Sequence, residues 1–359
     1  MKNKKRMISI FAALVLTMVV ITPSFGVNKI TQPLDVAGIQ KTILENSLSI
    51  KGLDNDINLA TYKYNQAKED TDTAGKNAID TYKRMNDFYV KQAKMNLDYS
   101  QWTKTEKLES LLEQGENLYW QTLIINKEIA LTEAKIERIK KSKDKMQIKV
   151  DLGHEVTSSV ASIDLTLQNE QGTLNSLKQK KNGYLLDLNV LMMQDMTGKL
   201  DMIVKSIPEV TFDQIIDATI AATLLKDGDI IKLTQEIDLY NLEISLYTKY
   251  GTTEADKDAK VQVIHDADQK ALDLQEAKLN LEYDLRSQYN NLLNAKDSIS
   301  IAQLKIDGLS LDLEAANKRL EVGMMTADSI ELLKEQIQFE QLNLEKAKLV
   351  YYLDILKLS

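Results

Sequence analysis

Apolar residues recur every three to four positions along most of this chain, the spacing of one buried face on a helix. The first such run carries Ile39, Ile43, Leu48, Ile50, Leu53, Ile57 and Leu59. It predicts a helix opening at Pro33-Leu34-Asp35, with Asp35 placed to cap it, and running to about Gln66. The polar stretch 69–76 then suits a turn. Helical spacing resumes at Ile79 and holds to Val150, a rod of roughly 100 Å at about 1.5 Å per residue. A third run spans 156–196, and residues 198–208 read as a linker.

Beyond that linker the pattern starts again. Phe212-Asp213 echoes Leu34-Asp35 at an offset of 178, and Ile230, Leu233, Ile237 and Leu239 echo Ile50, Leu53, Ile57 and Leu59 at an offset of 180. After a connector at 250–254 the offset falls to 170, so the first unit carries about ten more residues around its own connector. The long run of the second unit reaches Leu320, breaks at Val322-Gly323-Met324-Met325-Thr326, and restarts at Asp328. Glycine tolerates the left-handed backbone that ends helices, and Thr326 is placed to cap the next one. The same 170-place offset relates Gly153 to Gly323 and Val160 to Ile330, so VDLGHEVTSSV is a second tip of the same kind. Each unit therefore reads as short helix, connector, long helix, glycine tip and returning helix. The expected division is a leader over 1–26 and helical-hairpin repeats over 27–205 and 206–359.

Within the second unit, Leu285, Leu292, Ile299, Ile306, Leu313 and Leu320 recur every seven residues. A companion layer of Gln288, Ala295, Ala302, Leu309 and Ala316 follows three places behind. This is a heptad seam in which alanine lets helix backbones approach closely. The first unit repeats the register with Leu111, Leu118, Ile125, Ile139 and Met146 in the companion layer, while Thr122 and Lys143 interrupt the layer matching Leu285 to Leu320. Long helices that are polar over most of their surface must pack side by side, and a duplicated pair of hairpins invites a symmetric oligomer.

Composition narrows the function classes. The chain has 359 residues, no Cys, two His, three Pro, thirteen Gly and a formal net charge of −8. Scarce proline and glycine suit long helices, and the acidic balance argues against nucleic acid as a partner. Lys2, Lys4, Lys5 and Arg6 followed by an apolar run to Ile21 and a break at Pro23 read as an export leader. His154 and His265 lie far apart with no ligand-like spacing, so no metal site is expected. No phosphate loop or nucleophile elbow occurs, and no enzyme or cofactor is expected. Tyr99, Trp102, Tyr119 and Trp120 cluster on one helix, as interhelical packing would have them.

The twofold repeat, the PLD and TFD helix starts, the two tips and the ending QIQFEQLNLEKAKLVYYLDILKL together resemble the TolC-like outer-membrane efflux protein family. The resemblance spans about Leu34 to Leu358 and is more specific in the second half. It implies an all-α chain of two tandem coiled-coil hairpins, one subunit of a trimeric α-barrel that serves as an export duct. It also implies tips that meet a periplasmic adaptor protein and an inner-membrane pump, here Leu152, Gly153 and Thr157 with Val322, Gly323, Met324 and Thr326. The family's membrane β-hairpins belong at the connectors, where only 69–76 and about 250–261 are available. A spanning strand needs about 9–11 alternating residues, so little or no β-barrel is expected. The family's acidic residue near the constriction falls on Ser159 and Ser329, but the adjacent Asp328 and Glu331 offer an acidic ring instead. The other reading is a cell-surface coiled-coil protein that keeps the fold without transport.

Overall fold

The computed structural model describes residues 32–70 and 78–358. Nine helices account for nearly all of these: α1 (Val36–Asn46), α2 (Leu48–Glu69), α3 (Ala78–Met85), α4 (Phe88–Asp151), α5 (Thr157–Leu191), α6 (Ile216–Lys226), α7 (Gly228–Tyr250), α8 (Glu254–Glu321) and α9 (Ala327–Leu358). Among the described residues there is no strand, only one parallel bridge between Leu34 and Met202. No described helix is long and apolar enough to cross a membrane. The leader expected over 1–26 lies outside the described residues, as do 71–76 of the first connector. The second connector is complete and consists of Gly251, Thr252 and Thr253, too few residues for a hairpin. The alternating run Lys260–Ile264 is helical, because Thr253 and Asp256 form a reciprocal capping box that starts α8 ahead of it.

The long helices α4 (64 residues) and α8 (68 residues) form the axis of each repeat. From equator to tip the row runs α5, α4, α9, α8, and in the opposite half α2, α4, α7, α8. α8 and the pair α2/α5 stand at the row's two edges. The heptad seam is buried as expected: Leu285, Leu292, Ala295, Ala302, Ile306 and Ala316 all face the packed side of α8.

The largest core lies at the equator, where α1 and the ends of α5 and α9 close over α4. Ile39, Ile43, Tyr119, Trp120, Leu188 and Leu349 are buried there. The linker covers this core: Leu34 N–H donates to Asp201 O and Ile203 N–H to Leu34 O, both at 2.8 Å. The Tyr119 hydroxyl completes the cover by donating to Ile203 O at 2.6 Å.

Several sequence expectations need correction. The first helix does not run unbroken to Gln66. Ser47 ends α1 and caps α2, its hydroxyl accepting from Ile50 N–H. Asp227 does the same between α6 and α7, accepting from Ile230 N–H, at the same 180-place offset. The caps therefore fix the offset at 180 here, and the partner of Asp35 is Ile215, which has no side chain able to cap α6. Asp213, matched to Asp35 by sequence, instead accepts a bond from Thr211. The run from Ile79 to Val150 breaks at Asp87, which adopts φ 57°. The run over 156–196 ends at Leu191, because Met193 turns the chain at φ 55°. The extra residues of the first unit include α3, which packs on α7 through a largely buried Lys83–Glu243 pair at 2.5 Å.

Candidate docking tips

Both hairpin ends are built by the same local chemistry. Gly153 (φ 75°) and Gly323 (φ 69°) each occupy the left-handed region that a side chain would strain. Their N–H groups donate to Val150 O and Leu320 O at 2.9 and 3.0 Å. The following N–H groups, of His154 and Met324, donate to Lys149 O and Arg319 O, both at 2.8 Å. This paired closure satisfies carbonyls that a helix end leaves open. Adding a Cβ at either glycine would meet nothing within 4 Å, so backbone conformation, not crowding, accounts for these glycines.

The returning helices start differently. Thr326 caps α9, its hydroxyl accepting from Ser329 N–H at 3.3 Å. In the first repeat the equivalent place is Val156, which has no side-chain acceptor, and Thr157 is already the first residue of α5. Both tips are open to water. Leu152, Val156, Val322 and Met324 are between 63% and 80% exposed, an apolar set gathered at one end of the hairpins. Four residues after each exposed cap, Val160 and Ile330 are buried again and anchor the returning helices.

The structure holds the two tips together through α4 and α9. Lys145 Nζ donates to both carboxylate oxygens of Asp328 at 2.7 and 2.9 Å. Further from the tip, Arg138 grips Glu335 with two bonds of 2.7 and 3.0 Å, and this contact holds its guanidinium pKa above the usual value. Glu331 pairs with Lys334 one turn on at 2.8 Å. The acids proposed from sequence thus stand side by side, each matched by a lysine. Lys145 and Arg138 were not identified by sequence reasoning, since their partners lie 183 and 197 places away and no local pattern marks them. Between α4 and α9 these pairs line a groove of about 470 Å³. No group of His, Asp or Glu suited to a metal occurs among the described residues.

No family model matches the sequence, and no curated protein matches it. Solved structures do match. The Campylobacter jejuni CmeC outer membrane channel superposes with a TM-score of 0.66 at 13% identity, over 90% of this chain and 84% of that one. The outer membrane protein VceC of Vibrio cholerae gives 0.63 at 12% identity, over 90% and 94%. The open-state MtrE outer membrane channel of Neisseria gonorrhoeae gives 0.58 at 12% identity, over 90% and 87%. The chain therefore has the fold of the TolC-type channels, and all three of these structures are outer membrane proteins.

Proposed function

We propose that this chain is an exported duct component of an efflux or secretion system in the cell envelope. Three copies would close into a tube, and the tips would dock the hairpin of an adaptor that links the tube to a pump. The observation that carries this reading is the pair of glycine tips, set together at one end of a row of channel-type helices. There Leu152, Val156, Val322 and Met324 offer apolar surface beside backbone that Gly153 and Gly323 leave open to close approach. Residues Leu152, Gly153, Thr157, Val322, Gly323, Met324 and Thr326 form the docking set in this reading. Asp328 and Glu331 form the rim of the constriction. Because Lys145 and Lys334 pair with them, that rim is charge-compensated rather than strongly acidic.

Light scattering with electron microscopy of the purified protein tests the tube: a trimer with a central lumen supports it. A monomer overturns it in favour of a non-transporting coiled-coil protein. Docking is tested by Gly323→Leu in a pull-down with the adaptor of the same host. Loss of binding at unchanged helix content is expected; undiminished binding counts against the tip.

A further inference from the structure

The edge helix α8 is apolar on two opposite faces. One carries the buried seam of Leu285, Leu292, Ala302 and Ile306. On the other side of its 3.6-residue turn lie Leu272, Leu279, Tyr283 and Ile301, each 54–72% exposed. The opposite edge, α5, has small residues on its outward face, among them Ser162, Gly172 and Ser176, with Leu165 61% exposed between them. A Cβ added at Gly172 or at Gly308 of α8 would meet nothing within 4 Å.

Duplication fixes how these edges meet. Inside the chain α4 of the first repeat packs on α7 and α9 of the second. In a closed ring α8 must play the part of α4, and the next copy's α2 and α5 must play the parts of α7 and α9. The offsets are known: 170 places between α4 and α8 and between α5 and α9, and 180 between α2 and α7. The internal pair Arg138–Glu335 then maps to Gly308 and Leu165, and Lys145–Asp328 maps to Ala315 and Ser158. The core residues Leu131 and Leu342 map to Ile301 and Gly172. On the α2 side, Trp102 lies over Gly228, where a Cβ would come within 2.0 Å of the ring. That contact maps to Leu272 and Leu48, and Leu48 is itself 53% exposed.

We infer that α8 of each copy docks on α2 and α5 of a second copy in this register, with Leu165 seated at Gly308 and Ile301 at Gly172. The inference rests on the proposed ring and specifies its contact. Two large side chains each find a glycine opposite, and the charged pairs of the internal seam have no counterpart. The ring contact is therefore a close-approach seam without cross-helix ion pairs, unlike the ion-paired α4–α9 seam; Asp297, in the place of Lys127, faces Asn175 in the place of Glu345. The two seams also differ in their response to salt: salt weakens exposed ion pairs, while burial of apolar surface is not weakened by screening.

The chain has no cysteine, so a cross-link is read without background. The variant carrying Leu165→Cys and Gly308→Cys should give covalent dimer and trimer bands under mild oxidation. A disulfide requires Cα atoms within about 7 Å, and Ile301 lies two turns from Gly308. The control variant Leu165→Cys with Ile301→Cys should therefore stay uncross-linked. Assembly measured by light scattering should persist in 1 M salt. A trimer that cross-links equally in the control, or not at all in the first variant, overturns the register while leaving the ring. Dissociation in salt overturns the seam without ion pairs. A monomer under all conditions overturns both the inference and the ring on which it rests.

Discussion

At the equator the two repeats fill the same space from opposite sides. In the first, Gly115 of α4 lets the buried Ile39 and Ile43 of α1 rest against the helix backbone, and a Cβ there would stand 2.6 Å from Ile43 Cδ1. In the second, the corresponding place is Leu285, and the corresponding residues of α6 are Thr219 and Thr223. The bulk has moved from the short helix to the long one. The next position differs in chemistry as well. Glu116 is buried and accepts bonds from Trp120 Nε1 at 3.2 Å and the Tyr352 hydroxyl at 2.5 Å. Burial and this carboxylate push the Tyr352 phenol pKa well above its ordinary range. Its counterpart Arg286 lies in water, forked to Glu282 and Asp217. A duplicated fold thus conserves total volume across an interface more strictly than it conserves the residue at any one place.

The largest expected effect separates the polar partners. Glu116→Leu leaves the Trp120 and Tyr352 donors buried without their acceptor and should cost about 2–5 kcal/mol in denaturant titrations. Arg286→Leu should leave the midpoint unchanged; comparable losses would show that both equators are equally dry. Next, Gly115→Leu should overpack α1 and cost about 1–3 kcal/mol. Adding Ile39→Thr and Ile43→Thr should recover part of that loss, since the triple variant reproduces the second repeat. A triple variant weaker than the single would break the account of exchanged volume.

A smaller gain is expected from Ile215→Asp, which gives α6 the cap that Asp35 gives α1. Thermal unfolding should show about 0.5–2 kcal/mol of added stability. The smallest effect is on pH. The bond from Lys205, then that from Gly38 N–H, holds the Asp35 carboxyl below its ordinary range. A depressed folded-state pKa contributes stability above the unfolded value and loses it as pH falls through the folded one. Protection of the Gly38 amide, corrected for intrinsic exchange, should therefore decline below about pH 4. The start of α6, with no carboxylate cap, should show no such step.

Much of this fold was legible because it depends on periodicity and on a few backbone-determining residues. The seam from Leu285 to Ala316, the Asp35 cap and the glycines at 153 and 323 all carry a local physical signature. The kinks did not. Ser47 interrupts a helix whose apolar spacing continues across it, because its hydroxyl replaces the missing backbone acceptor. Asp87 and Met193 take positive φ although neither is glycine, so nothing in the spacing announces them. At the tips the resemblance picked out Thr157 as the counterpart of Thr326, although it falls one place later after its glycine, and the helix start falls on Val156, the residue 170 places before Thr326. The acids Asp328 and Glu331 were visible, and so was Lys334 one turn beyond Glu331, but Lys145 becomes a neighbour of Asp328 only once α4 and α9 are packed antiparallel.

The buried equator and the distant tips also make each long helix a lever. From Tyr119 in the core to Asp151 at the tip, α4 has an arm of about 48 Å, so a tilt of about 10° displaces the end by about 8 Å. A contact at the end of such an arm resists rotation far better than the same contact near the fulcrum. The exposed Lys145–Asp328 pair contributes little to stability, about 0–1 kcal/mol, yet it acts where the mechanical advantage is greatest. A partner arriving at the tips would need only modest force there to swing the hairpins about their core.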